Sequence, residues 1–147
     1  MTRSDVVFRI DATDASDQRL DVEIEVHAPF TSSSLKLSFP RWVPGSYFLR
    51  EPIQHVSHLQ AFDGEGNALN VVRKDVDSIV IKDVSSLAKV SIRYKLLCVE
   101  NTVRSNHLDE THLHMMPPFT WFLPTSGINA ERMEKTHVVE LTLPSDW

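Results

Sequence analysis

Residues 19–27, which read RLDVEIEVH, decide the fold of this chain. Apolar side chains at Leu20, Val22, Ile24 and Val26 alternate with charged or polar side chains almost without a break. Successive side chains of a β-strand point to opposite faces of the sheet, so this alternation predicts a strand with one apolar face and one wet face.

The same period of two recurs along the chain in short runs that are bounded by turn residues. The apolar members of these runs are Val6/Phe8/Ile10, Leu35/Leu37/Phe39, Leu69/Val71, Ile79/Ile81, Val90 to Cys98, and Val139/Leu141/Leu143. About eight to ten such strands cannot bury their apolar faces alone, so they must pack as two sheets or close on themselves. The sequence therefore predicts an all-β fold: an antiparallel β-sandwich with little or no helix.

Two segments have some helical character. Ile53, Val56 and Leu59 recur at a helical spacing behind Pro52, and residues 130–135 have a helix-forming composition. Neither segment sustains its period over three turns, so we favour a strand or loop for both.

The composition is that of one folded domain without a nucleic-acid or membrane partner. The chain has 147 residues, 41% of them apolar, and a net charge of -5. This length supports one core, and no run of Lys and Arg would attract phosphate backbones or anionic lipid. No apolar stretch matches a signal sequence or a membrane span, and the single cysteine, Cys98, fits a reducing compartment, so we expect a cytoplasmic protein. The sequence stops directly after a strand at residues 141–147, which we interpret as the boundary of a longer protein.

The segment WVPGSY at residues 42–47 contains a type II turn, because Pro presets φ at one central position and Gly accepts a positive φ at the next. Trp42, Tyr47 and the nearby Arg50 crowd this loop. Such aromatic side chains either cap the end of a sandwich or form a platform for a ligand. We favour capping on these residues alone.

A second polar cluster, VRSNHLDETHLH at residues 103–114, raises the question of a metal site. His112 and His114 share a strand face, and His107, Asp109 or Glu110 is available as a third ligand. Imidazoles are common on wet strand faces, so we favour no metal here. The HExxH pattern of zinc hydrolases is absent from the sequence.

Other catalytic arrangements find no support. His55 and His58 would share a face only on a helix. Ser46 lacks the second glycine of a nucleophile elbow, and Cys98 falls on the apolar side of its strand. With four glycines and none at the required spacing, a phosphate-binding loop is excluded.

Three motifs in the same order resemble the N-terminal domain of the glycyl aminopeptidase-like zinc metallopeptidases. The family pattern runs W-x-P-G-S-Y with a following Arg, then A-x-D-x-x-G, then V-R-x-x-x-L-D, and it closes on Pro-x-x-Trp. Here the pattern is carried by residues 42–50, 58–69, 103–112 and 144–147. Residues 115–119, MMPPF, replace an aromatic-Asn pair of the relatives, and a Trp near Ile79 is missing.

The resemblance implies a saddle-like, non-catalytic sandwich that precedes a helical zinc domain and a PDZ domain, neither of which lies in this chain. By the same resemblance the zinc belongs to the parent enzyme, no cofactor belongs to this fragment, and the partners are its own catalytic domain and a peptide substrate. The implied contact residues for the substrate or the catalytic domain are Trp42, Tyr47, Arg50, Arg104, His107 and Asp109.

Two alternatives remain open on the sequence. One is a peptide- or carbohydrate-binding module that uses Trp42, Tyr47 and Trp121 as a platform, which requires those rings to face solvent. The other is a small metal-dependent hydrolase built on His107 with the two later histidines. An accessory domain instead predicts an exposed apolar patch where its partner docks.

Overall fold

The computed structural model describes residues 5–40, 52–99, 106–117, 120–133 and 137–147. Most of these residues belong to β-strands. In chain order the elements are β1 (Val6–Asp11), β2 (Arg19–His27), β3 (Ser34–Ser38), a 3-10 turn (Pro52–His55), β4 (Val56–Asp63), β5 (Ala68–Leu69), β6 (Val71–Asp75), β7 (Ser78–Lys82), β8 (Lys89–Leu97), β9 (His107–Leu108), β10 (Leu113–His114), β11 (Leu123–Ser126), α1 (Ala130–Met133) and β12 (Val138–Thr142).

The strands form two packed sheets and one small hairpin, which confirms the predicted β-sandwich. The larger sheet has the strand order β12-β1-β2-β8-β4-β5, and the smaller has the order β11-β3-β7-β6. The hairpin pairs β9 with β10. All neighbouring strands are antiparallel except β1 and β12, which run parallel. The chain reaches β12, at the edge of the larger sheet, after it has passed through β11 of the smaller sheet.

The core lies between the two sheets and is built from the alternating positions that the sequence marks. Strands β2 and β8 pair over nine residues from Arg19↔Leu97 to His27↔Lys89. Every second residue from Val90 on β8 to Cys98 just after it is buried, as predicted. From the smaller sheet, Leu35, Leu37, Ile79 and Ile81 are fully buried against them.

Aromatic rings in residues 120–122 connect the two sheets at one end of the core. Phe122 lies 4.2 Å from Phe39 and 5.5 Å from Tyr94, measured between ring centroids. The Tyr94 hydroxyl donates a hydrogen bond of 2.8 Å to the carbonyl of Thr120. Because this hydroxyl is buried, the bond compensates its loss of water.

Short helical turns occur at both segments where we favoured strand or loop. Residues 52–55 form one 3-10 turn before β4, and residues 130–133 form one turn of α-helix, so the prediction for 130–135 was wrong in part. The Asn129 side chain accepts a hydrogen bond of 2.8 Å from the Glu131 amide and caps this helix. Among the described residues, no helix is long and apolar enough to cross a membrane.

The outer face of the larger sheet is a ladder of paired charges. Arg9 binds Glu23, Glu25 and Glu140 on the two neighbouring strands, and Arg93 binds Glu23 at 2.7 Å. Burial raises the pKa of Glu25, but its hydrogen bonds to Arg9 and Lys89 outweigh this effect and lower the pKa overall. The ladder therefore gives a charged face whose ion pairs are made within the domain.

We expect Gly127→Ala to destabilise the fold strongly. Gly127 has φ of +101°, and a Cβ there would lie 2.5 Å from the Ser34 carbonyl oxygen and 2.9 Å from Leu35 Cα. Strain and clash together should lower the free energy of unfolding by about 3 kcal/mol in urea titration. Gly66→Ala is the matched control, because Gly66 has φ of +87° with nothing within 4 Å of the added Cβ, and should cost only about 1 kcal/mol. Equal losses in the two variants would show that the contact with β3 is unimportant.

Candidate functional site at the β9–β10 hairpin

Of the six contact residues that the sequence suggests, the structure describes two. Trp42, Tyr47, Arg50 and Arg104 lie outside the described residues, as does Ser46. His107 and Asp109 both lie in the β9–β10 hairpin. The candidate site is therefore built from this hairpin and from what packs beside it.

The hairpin is attached to the end of the sandwich through backbone hydrogen bonds. The Leu108 amide donates to the Cys98 carbonyl at 2.9 Å, and the Gln18 side chain donates to the Leu108 carbonyl at 3.1 Å. The Leu108 side chain is fully buried in the core and so anchors β9 to the sandwich. These contacts hold the two flanking residues, His107 and Asp109, at the surface of a rigid element.

Asp109 organises the turn that connects β9 to β10. Its Oδ1 accepts hydrogen bonds from the Thr111 amide at 2.7 Å, the Thr111 hydroxyl at 2.6 Å and the His112 amide at 3.0 Å. Its Oδ2 lies 2.9 Å from Nε2 of His107. The Thr111 hydroxyl, followed by His107, holds the pKa of this carboxyl well below its usual range, so the group is a carboxylate at neutral pH.

Two histidines meet this carboxylate. The rings of His107 and His112 stack with centroids 5.1 Å apart and an interplanar angle of 28°. His107, Asp109 and His112 can each offer one metal ligand atom, and these atoms lie within 4.8 Å of one another. The sequence paired His112 with His114, but His114 is opposite His107 in the ladder, is exposed and does not join this group. Strand parity missed the grouping because His112 belongs to the turn before β10.

A cleft of about 660 Å³ adjoins the hairpin. Its walls are largely apolar and come from the hairpin side, through Leu113 and Met115, and from the C-terminal segment, through Leu141, Leu143 and Trp147. The Trp147 indole donates a hydrogen bond of 3.0 Å to the Glu110 carbonyl and so joins the two walls. His112 also lines this cleft, which places one of the two histidines at its rim.

The last strand leaves apolar side chains exposed on the face that elsewhere forms the core. Val139 is paired with Phe8 and Leu141 with Ile10, so both point to the inner side of the larger sheet. Phe8 and Ile10 are buried, yet Val139 is 44% and Leu141 51% exposed. With Leu143, at 44%, they form an exposed strip that we call the β12 strip.

Trp121 is not part of a solvent-facing platform. It is 8% exposed and stacks on Phe8 with ring centroids 4.6 Å apart. The binding-module alternative therefore loses one of its three aromatic residues. Cys98 is buried, and burial raises the pKa of its thiol to about 12, so it is not a nucleophile at neutral pH.

A second concavity, of about 430 Å³, lies against the charged ladder of the larger sheet. Arg9, Glu23 and Arg93 line it and are already paired with one another. His58 also lines it, whereas His55 lies in the 3-10 turn before β4.

Comparison with known proteins identifies a family and solved structures of similar fold. The model of the peptidase M61 N-terminal domain family matches residues 7–147. An aminopeptidase N family protein from Idiomarina loihiensis superposes with a TM-score of 0.82 at 20% identity, over 96% of this chain and 22% of that one. At this identity the match shows the fold, and the chain spans about a fifth of that protein's length. No curated protein matches the chain.

We expect Asp109→Ala to open the hairpin turn and Asp109→Asn to preserve it. Asparagine keeps an Oδ1 that accepts the Thr111 and His112 amide protons, whereas alanine leaves both donors without this partner. Amide hydrogen exchange followed by NMR should show lost protection at residues 111 and 112 in the alanine variant only. Retained protection in Asp109→Ala would mean that the backbone pairing alone holds the turn.

Proposed function

Because the chain belongs to the family of peptidase M61 N-terminal domains, we propose that it is the non-catalytic first domain of a zinc-dependent aminopeptidase. In this proposal the domain docks on its own catalytic domain and forms one wall of the cleft that receives the peptide substrate. The zinc and the PDZ domain belong to other parts of the parent protein, which we expect to be cytoplasmic.

The observation that supports docking is the exposed β12 strip beside the apolar cleft. Val139 and Leu141 point to the side of the sheet that is otherwise core, and Leu143 and Trp147 beyond them are 44% and 40% exposed. Apolar side chains clustered in this way are typical of a surface that a partner covers. The outer face of β12, by contrast, carries Glu140 in an ion pair with Arg9.

The zinc-binding motif of such peptidases, HExxH, is absent from this sequence. In this proposal the catalytic zinc is therefore held by another part of the parent protein. In such peptidases the zinc polarises the scissile carbonyl and activates water for attack. This domain contributes shape and positioning to that reaction, with Arg50 and Arg104 as proposed contacts across the interface or to the substrate.

The hydrogen bonds of Asp109 give it a more specific part in the proposal. With three donors on Oδ1 and His107 beside Oδ2, its carboxylate is satisfied within the hairpin. A further ion pair across the interface would require breaking these contacts. We therefore propose that Asp109 is a positioning residue that sets the conformation of the hairpin facing the cleft.

The first test separates the domain from the enzyme. We expect the purified 147-residue chain to leave glycyl and other aminoacyl peptide substrates intact, because the residues for hydrolysis lie elsewhere. The full-length gene product should hydrolyse them, and a zinc chelator should abolish that activity. Hydrolysis by the 147-residue chain, after removal of contaminating proteases and with a first-order dependence on its concentration, would overturn the proposal.

The second test uses Leu141→Asp, which places a charge in the β12 strip. Leu141 is 51% exposed, so the melting temperature of the 147-residue chain should change by no more than about 2 °C. In the full-length protein the buried charge should weaken docking, which lowers peptidase activity at least about tenfold and increases proteolytic cleavage between the domains.

Val76→Asp is the matched control, because Val76 is an exposed valine at 56% in the turn between β6 and β7, far from the strip in the sheet order. It should alter neither protein. If Leu141→Asp and Val76→Asp gave the same full-length activity as the unmodified protein, the β12 strip would not be the docking surface.

A further inference from the structure

We propose that His107, Asp109 and His112 bind one divalent transition-metal ion of the zinc class at the rim of the apolar cleft. This site is distinct from the catalytic zinc of the parent enzyme and does not depend on the proposed function. Two imidazole nitrogens and one carboxylate oxygen form its ligand set. Among the described residues, this is the group of three ligating side chains that comes close enough together to hold an ion.

The distances between the ligand atoms suit a small ion. Nitrogen and oxygen ligands bind zinc at about 2.0–2.1 Å, so two of them at a tetrahedral angle lie about 3.4 Å apart. His107 Nε2 lies 2.9 Å from Asp109 Oδ2, and one ligand atom from each of the three side chains lies within 4.8 Å of the other two. To bind the ion, His107 and Asp109 exchange their mutual hydrogen bond for it. His112, whose side chain is 54% exposed and whose Nδ1 lies 3.0 Å from the Thr111 hydroxyl, turns toward the ion.

The hairpin supports this ligand set before any ion arrives. Three hydrogen bonds to Oδ1 hold the Asp109 carboxylate in place. The β9–β10 pairing fixes His107, whose side chain is 13% exposed. Metal ligands that are held by neighbouring hydrogen bonds lose less conformational freedom on binding, which raises affinity.

The chemistry of the ligands selects the class of ion. Two of the three are imidazoles, which suit zinc, copper and nickel, whereas calcium and magnesium prefer oxygen ligands throughout. Three protein ligands leave a position that water or a cleft-bound group can occupy.

The second ring nitrogen of His107 limits the affinity that we expect. When Nε2 binds the ion, the ring proton resides on Nδ1, which is buried and has no hydrogen-bond partner among the described residues. Metal-bound histidines usually donate this proton to an oxygen, so its absence weakens the site. We therefore expect micromolar rather than nanomolar binding.

The test is a titration of the 147-residue chain, freed of any affinity tag, with zinc sulfate by isothermal calorimetry and with cobalt(II) by visible absorption. We expect one zinc ion per chain, d–d bands typical of low-coordinate cobalt, no competition from calcium, and a higher melting temperature with zinc. His112→Ala should weaken zinc binding at least about tenfold, because it removes one of three ligands. Asp109→Asn should weaken it similarly while it preserves the turn.

His114→Ala is the matched control, since His114 is an exposed imidazole of the same hairpin outside the ligand set. It should leave zinc affinity within about twofold of the unmodified chain. A stoichiometry well below one, an equal loss in His112→Ala and His114→Ala, or unchanged binding in His112→Ala with a native melting curve would overturn the proposal. Any of these results would indicate general binding by surface histidines.

Discussion

The structure depends on the pairing of β2 with β8, in which one face of each strand is buried and the other is charged. Nine consecutive residue pairs join the strands, and they set every inward-facing side chain in the middle of the larger sheet. Because side chains alternate with a period of two, a slip of one residue would bring Glu23 and Arg93 into the core. The cost of burying those charges holds the register, and the ladder of ion pairs on the outer face forms only in that register.

The same constraint positions the candidate site. Cys98 follows β8 directly, and its carbonyl accepts the Leu108 amide of β9. Gln18 lies just before β2, and its carbonyl accepts a hydrogen bond from the Cys98 amide. Its side chain donates a second hydrogen bond to the Leu108 carbonyl. The hairpin is thus attached to the ends of the two central strands. Its turn can then present Asp109 and two histidines in fixed positions although it contributes few residues to the core.

The sequence predicted the sandwich because a strand with one buried face alternates apolar and polar residues, and residues 19–27 and their partner strands show this alternation. It could not predict which inward-facing strand would remain uncovered, since Val139 and Leu141 follow the same pattern as Phe8 and Ile10. Their difference in burial depends on what packs against each strand, which is a tertiary property. The grouping of His107, Asp109 and His112 was likewise hidden, because strand parity does not apply to a turn that a carboxylate folds back on itself.

These two unpredicted features lie at one place. His112 belongs both to the histidine pair and to the lining of the cleft, whose opposite wall is the continuation of β12 through Leu143 to Trp147. The Trp147 indole, by binding the Glu110 carbonyl, couples the position of the C-terminal segment to the hairpin turn. A partner that covers the β12 strip would therefore contact the wall of the cleft as well. Movement of the hairpin would alter the shape of that wall, so the hydrogen bonds by which Asp109 holds the turn also bear on the shape of the cleft.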